Sequence, residues 1–251
     1  MDEPVARLNN VSLYYHEPQR ETLAVEGLDM CVRRGELVSV VGPSGCGKTS
    51  VLSLISGLYP PSAGSVEVLG VTPEAARDRV GYMLQRDCLF DWRTIEKNVL
   101  LGLEVKGRLT AASRKKANDL LHKYGLGAFT SAFPRALSGG MRQRAALIRT
   151  LAFEPELLLL DEPFSALDYQ TRLILEDEVR TIIKNEGCTA VLVTHDISEA
   201  IAMGDRVLVF TSRPAKVKRE FTVDIEGGAL ERRSKPAFRT LFDAIWKELD
   251  N

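Results

Sequence analysis

The sequence predicts an α/β chain in which a mostly parallel sheet is flanked by helices, preceded by an antiparallel β segment and interrupted by a helical insertion. Three observations carry this reading. Residues 157–160, 190–194 and 206–210 are short, nearly continuous apolar runs separated by helical stretches, as expected of parallel strands covered on both faces. Residues 6–15 and 28–33 instead alternate apolar and polar side chains, the pattern of an antiparallel sheet with one face in water. Between residues 94 and 153 the apolar spacing turns helical, most clearly over 111–124 and 139–152, and no strand-like run interrupts it.

In chain order, residues 36–41 form a strand that runs into Gly42-Pro43-Ser44-Gly45-Cys46-Gly47-Lys48-Thr49, and residues 50–56 have helical character. Residues 80–84 read as a further strand, ending at Gln85. Near the end, Phe238, Leu241, Phe242, Ile245, Trp246 and Leu249 recur at i, i+3, i+4, i+7 spacing behind the start signals Ser234 and Pro236. That pattern predicts an amphipathic helix packed on the core. The expected layout is a catalytic core with its β subdomain over residues 1–93 and 154–225, a helical subdomain over 94–153, and a helical tail over 226–251.

Composition narrows the function classes. With 45% hydrophobic and 27% charged residues, neither disorder nor a fibrous fold is indicated. A net charge of −1 lacks the basic excess usual in nucleic-acid binders, and the short cluster Lys216, Lys218, Arg219 reads as solvated surface. The longest apolar runs fall far short of the roughly 20 residues a spanning helix needs. Residues 1–4 lack the basic and apolar regions of a secretory signal, so a cytoplasmic location is expected. Cys31, Cys46, Cys88 and Cys188 have no paired spacing and predict neither disulfides nor a zinc site.

The segment 42–49 matches G-x-x-x-x-G-K-[ST], in which glycines turn backbone N–H groups toward phosphate oxygens at a helix N-terminus. Lys48 reaches toward the β and γ phosphates of a nucleotide, Thr49 offers a hydroxyl to Mg2+, and Ser50 follows in the same turn. Cys46 lies where helix-terminal potential favours the thiolate, so nucleotide is expected to shield a reactive thiol. A second site element is the apolar strand 157–160 running into Asp161 and Glu162. Ligands in open α/β sheets sit beyond the carboxyl ends of strands, which puts Asp161 near the Mg2+ shell and Glu162 near the attacking water.

Leu137-Ser138-Gly139-Gly140-Met141-Arg142-Gln143-Arg144 opens a helix with a serine and two glycines, a further anion cradle for which the chain has no second phosphate loop. Together with the two motifs above, this stretch resembles the signature sequence of ABC ATPases. The resemblance implies a P-loop NTPase core that binds ATP and Mg2+ and hydrolyses ATP. It also implies a homodimer packed head-to-tail, with Ser138, Gly139 and Gly140 contacting the γ-phosphate held by the other copy. Gln85 resembles the family's glutamine that senses Mg2+ and water. Residues 165–168, ending at Asp168, resemble the loop that crosses the dimer seam, and His195 resembles the histidine that touches the γ-phosphate. Tyr15 stands where the family places an aromatic on adenine, with Tyr14 as the alternative; strand alternation sends one inward and the other outward.

Met141, the stretch 89–94 and the tail 238–249 resemble the ATPases of nitrate, sulfonate and taurine importers. That likeness implies integral-membrane permease subunits, a solute-binding protein in the full system, and a peripheral place on the cytoplasmic side of the membrane. Trp92 has two readings, an aromatic in the groove that receives a permease helix or a core residue. Two competing functions share these motifs: a soluble ABC ATPase acting on a protein scaffold in iron–sulfur assembly, and a non-hydrolysing nucleotide-binding regulator. Residues 89–94 speak against the first, Glu162 and His195 against the second, and a phosphate-release assay separates the regulator from an ATPase.

Overall fold

Two antiparallel strands, β1 (Pro4–Glu17) and β2 (Arg20–Arg33), lead into the first strand of the main sheet, β3 (Leu37–Val41). The computed structural model describes residues 4–17 and 20–250. After β3 the chain passes the glycine loop into α1 (Lys48–Ile55) and returns as β4 (Ala63–Val68), which pairs with β1 to complete a three-stranded sheet of order β2-β1-β4. The short helix α2 (Pro73–Ala76) precedes β5 (Val80–Met83). Residues 94–153 then hold α3 (Ile95–Val99), α4 (Leu101–Val105), α5 (Ala111–Lys123) and α6 (Gly139–Leu151). The second half alternates β6 (Leu157–Asp161), α7 (Tyr169–Asn185), β7 (Thr189–Thr194), α8 (Ile197–Met203), β8 (Arg206–Phe210) and β9 (Val217–Thr222), and ends in α9 (Ala229–Arg233) and α10 (Pro236–Asp250).

The main sheet has the order β5-β6-β7-β3-β8-β9, parallel except for the antiparallel edge strand β9. Every residue of β3, β6, β7 and β8 is buried, because the sheet carries a layer on each face. Alternate side chains divide between the layers: Val38 and Val40 join α1 and the antiparallel sheet, whereas Leu37 and Val41 join the core built with the later helices. Because β3, β5, β6 and β7 are parallel, their carboxyl ends share one edge. That direction brings the glycine loop, Gln85, Asp161 with Glu162, and His195 to the same side, at the point where the order of connections reverses around β3.

The amphipathic tail forms α10, with Phe238 and Ile245 buried. Two strands escape the sequence patterns. In β4 only Val66 and Val68 are buried, and β9 is a largely exposed polar edge, so neither carries a periodic apolar signal. Among the described residues no helix is long and apolar enough to cross a membrane.

Candidate functional site

The glycine loop is held by its own backbone and by contacts from distant segments. Gly45 and Gly47 have φ of +72° and +121°, and a Cβ on Gly47 would lie 2.6 Å from the Ala24 carbonyl oxygen. Lys48, only 5% exposed, folds its ammonium over the loop and donates to the carbonyls of Gly42 (2.8 Å) and Pro43 (3.0 Å). The Cys46 amide also donates to Pro43 (3.2 Å). The Cys46 side chain packs against Gly42 and into the core, and is 1% exposed. This corrects the expectation of a reactive thiol. Burial pushes the Cys46 thiol up more strongly than the charge of Lys48 lowers it.

A cleft of about 390 Å³ opens beside the loop, lined by Tyr15, Ala24, Lys48, Thr49, Glu162 and Arg213 among others. Tyr15 faces it: the phenol donates to Ser50 Oγ (3.1 Å) and the ring meets Tyr59 edge-on at 5.2 Å. Tyr14 points to the other side of β1 and is exposed, with its amide donating to Ser62 Oγ (3.0 Å). Sequence reasoning missed Arg213, whose Nε and Nη2 donate to the Gly45 carbonyl at 3.0 and 2.8 Å. It follows β8, far from the loop in sequence, and no local pattern marks it.

Beside the cleft, Thr49 Oγ1 donates to Asp161 Oδ1 (3.1 Å) and the Tyr82 phenol to Oδ2 (3.3 Å). Burial pushes the Asp161 carboxyl up, while these two hydrogen bonds draw it down; burial and the adjoining Asp161 also raise the Tyr82 phenol. Among the described residues no group of three or more His, Cys, Asp and Glu side chains could hold a metal. One hydroxyl and one carboxylate nonetheless fit Mg2+, which takes much of its octahedral shell from phosphates and water. Gln85, the third metal candidate, reaches the edge of the cleft through Glu162: its Nε2 donates to Ser165 Oγ (3.2 Å) and Glu162 Oε2 (3.4 Å).

Glu162 occupies a sharp turn at φ +43°, where a non-glycine residue is uncommon, and its amide donates to the Val193 carbonyl (2.9 Å). The turn aims its carboxylate at His195, whose Nδ1 lies 3.0 Å from Oε2. A carboxylate oxygen accepts, so the contact is one that the Nδ1–H tautomer of the ring makes, and His195 itself lines a second cleft with Asp196, Phe242 and Trp246.

The signature turn sits apart. Ser138 caps α6, its hydroxyl accepting from the Met141 amide (3.3 Å), and Asp168 caps α7 by accepting from the Thr171 amide (3.1 Å). That amide bond holds the Asp168 carboxyl below its usual range. A Cβ on Gly139 would meet Leu167 at 3.2 Å, and one on Gly140 would meet Thr171 at 3.0 Å, so the two turns pack on each other. None of Ser138, Gly139, Gly140 and Asp168 is among the residues lining the cleft. Helix α6 also grips the chain after Gln85. Gln143 donates to the carbonyls of Gln85 (3.4 Å) and Pro163, Arg142 to Asp87 Oδ2 (3.1 Å), and Arg149 to the carbonyls of Asp87 and Cys88 (both 2.7 Å). Trp92 stacks on Phe90 at 4.8 Å and is 74% exposed, which excludes the core reading.

The sequence of the ABC transporter family matches residues 25–165, a span from β2 to the turn after Glu162. The chain belongs to the ABC transporter ATP-binding family. It is 48% identical over 247 residues to the uncharacterized ABC transporter ATP-binding protein YtlC of Bacillus subtilis, covering 97% of this chain and 95% of that one. The nitrate import ATP-binding protein NrtD of a Synechocystis species is 41% identical over 207 residues, covering 82% and 77%. Among solved structures, the dimeric post-hydrolysis state of the ATP-binding cassette MJ0796, bound to ADP and Pi, superposes with a TM-score of 0.75 at 31% identity, covering 88% of this chain and 99% of that one. This chain is thus an ATP-binding ABC-type ATPase, and its fold is that of the ABC cassettes.

Proposed function

We propose that two copies of this chain close head-to-tail around two MgATP molecules and drive an ABC importer for a small anionic or organic solute of the nitrate, sulfonate or taurine type. The observation that carries the dimer is the separation of two anion cradles: the loop at Lys48 lines the cleft, and the turn at Ser138 does not. A nucleotide held at one copy's Lys48 reaches a Ser138 only if another copy brings it. The dimeric cassette bound to ADP and Pi supports the same arrangement. Relatedness to a nitrate import protein and residues 89–94 support the importer reading. Permease subunits would dock beside Gln85 and the exposed Trp92, with a solute-binding protein in the full system and the ATPase peripheral on the cytoplasmic side.

In this mechanism Tyr15 stacks on adenine, and Lys48 leaves the carbonyls of Gly42 and Pro43 for the β and γ phosphates. Thr49 and Asp161 would hold Mg2+, which would supply charge neutralisation at those phosphates. Glu162 takes the proton of the attacking water, Gln85 and His195 fix the carboxylate that does so, and the His195 Nε2 faces the γ-phosphate. Light scattering tests the dimer. Glu162→Gln should be monomeric alone, shift to dimer with ATP by mass action, and stay monomeric with ADP, which lacks the γ-phosphate. Adding Ser138→Arg should block the shift while ATP binding to each monomer persists. A dimer that forms without ATP, or that ignores Ser138→Arg, would overturn the proposal.

A further inference from the structure

One guanidinium ties the turn at residues 165–168 to the turn that carries His195. Arg172, in the first turns of α7, donates from Nη2 to the Leu167 carbonyl (3.3 Å) and from Nη1 to Asp196 Oδ2 (3.3 Å). Asp196 follows His195 directly. Its Oδ1 accepts the amides of Ser198 (2.7 Å) and Glu199 (3.2 Å), capping α8, and its own amide donates to Thr194 Oγ1 (3.0 Å). The backbone on both sides of His195 is therefore pinned, and Arg172 anchors that pinned segment to the 165–168 turn.

The other end of the same turn is tied to the same chemistry. Ser165 Oγ donates to the Glu162 carbonyl (3.0 Å) and accepts from Gln85 (3.2 Å), and Glu162 meets His195 at 3.0 Å. The contacts close a ring through Gln85, Ser165, Glu162, His195, Asp196 and Arg172, returning to the turn at Leu167. Ser165, Arg172 and Asp196 are the members without a place in the proposed chemistry, and of these only Arg172 and Asp196 form a charged pair. The Arg172 and Asp196 side chains are 24% and 33% exposed, so solvent and salt screen the pair only in part. A planar guanidinium presents donors to a carbonyl and a carboxylate at once, whereas a lysine ammonium on a flexible stem spans the two poorly.

We propose that Arg172 is a positioning residue for hydrolysis: by bridging Leu167 and Asp196 it sets the distance between the 165–168 turn and His195, so that pressure on the turn from a partner at Asp168 moves His195 in the same chain. The proposal rests on the roles given to Glu162 and His195 above. Displacing a catalytic group by about 1 Å can cost up to about a hundredfold in rate without touching substrate binding.

The test is a double-mutant cycle on the full chain, reading steady-state phosphate release, ATP affinity and thermal stability. Asp196→Asn keeps an oxygen to cap α8 and loses the charge that Arg172 holds; Arg172→Gln loses both donors of the bridge. Each should lower kcat about 10- to 100-fold with KM and ATP affinity unchanged. The pair together should be no slower than the slower single variant, because both break one link. Arg172→Lys keeps the charge should Arg172→Gln fold poorly, and should still lose most of the rate. Full turnover in Arg172→Gln or Arg172→Lys, losses that multiply in the double variant, or a parallel loss of ATP affinity would overturn the bridge. Glu162→Gln is run alongside: normal turnover there means the reading of the site has failed, whereas an inactive Glu162→Gln beside a normal Arg172→Gln means that only the bridge has.

Discussion

The loop at Lys48 and the turn at Ser138 both lead through glycines into an α-helix, yet their surroundings differ. Around Lys48 the backbone is locked from several sides: Ala24 abuts Gly47, Arg213 grips Gly45, and Thr49 is bonded to Asp161. Around Ser138 the hydroxyl is spent on its own helix cap, the residue is exposed, and the following glycines face Leu167 and Thr171 of the adjoining segment. One site is organised before a ligand arrives, and the other presents a helix start to whatever comes from outside. On the roles proposed above, ATP affinity belongs to the first region and closure to the second, so binding and turnover should be separable by mutation.

The largest expected effect lies between the two regions. Glu162→Gln removes the base and keeps the shape, so steady-state phosphate release should fall about 10²- to 10⁴-fold while ATP binding persists. Normal turnover would remove Glu162 from the mechanism. Next comes Lys48→Ala, which should weaken ATP binding about 10- to 100-fold in calorimetry, the range for losing charge-assisted hydrogen bonds worth about 1.5–3 kcal/mol. Ser138→Ala should leave that affinity unchanged, and equal losses in the two variants would erase the distinction drawn here.

A smaller difference concerns thiols. Cys88 is exposed and Cys46 is buried, so maleimide should label Cys88 first and reach Cys46 only on unfolding, with or without MgATP. Peptide mapping after brief labelling reads this directly, and rapid native labelling of Cys46 would mean that the loop opens.

The smallest effect concerns stability under the His195 turn. Burial pushes the Glu199 carboxyl well above the usual range, with Glu176 and Asp196 adding to the rise. A carboxyl raised on folding contributes stability that is complete below its unfolded value of 4.5 and is lost as pH climbs through the folded value. Glu199→Gln, neutral at every pH, should therefore raise Tm at pH 8 relative to the parent and do so less at pH 5. The scale is about 2–4 °C for each kcal/mol in a chain of this size. No difference between the two pH values would mean that Glu199 stays charged when folded.

Where chemistry is local, the sequence was readable. The loop 42–49 and the turn at Ser138 are contiguous strings whose glycines and helix starts create anion cradles wherever they fold. The strands β3, β6, β7 and β8 announced themselves because both faces are covered, which fills them mainly with apolar side chains. The strands β4 and β9 did not, since each has a face or an edge in water and pairs only because a neighbour offers a ladder.

By itself, then, the sequence determined which strings are candidates to meet phosphate, and in what order the elements that carry them arise, because those features depend on neighbours along the chain. Only the tertiary structure decided that Tyr15 rather than Tyr14 faces the cleft, that Cys46 points into the core, and that Trp92 is exposed. It alone brought Arg213 to Gly45 and Arg172 to Asp196. The physical reason is common to all five: burial and long-range hydrogen bonds are set by which remote segment packs alongside, and side chains separated by up to 168 positions leave no trace of that meeting in local spacing.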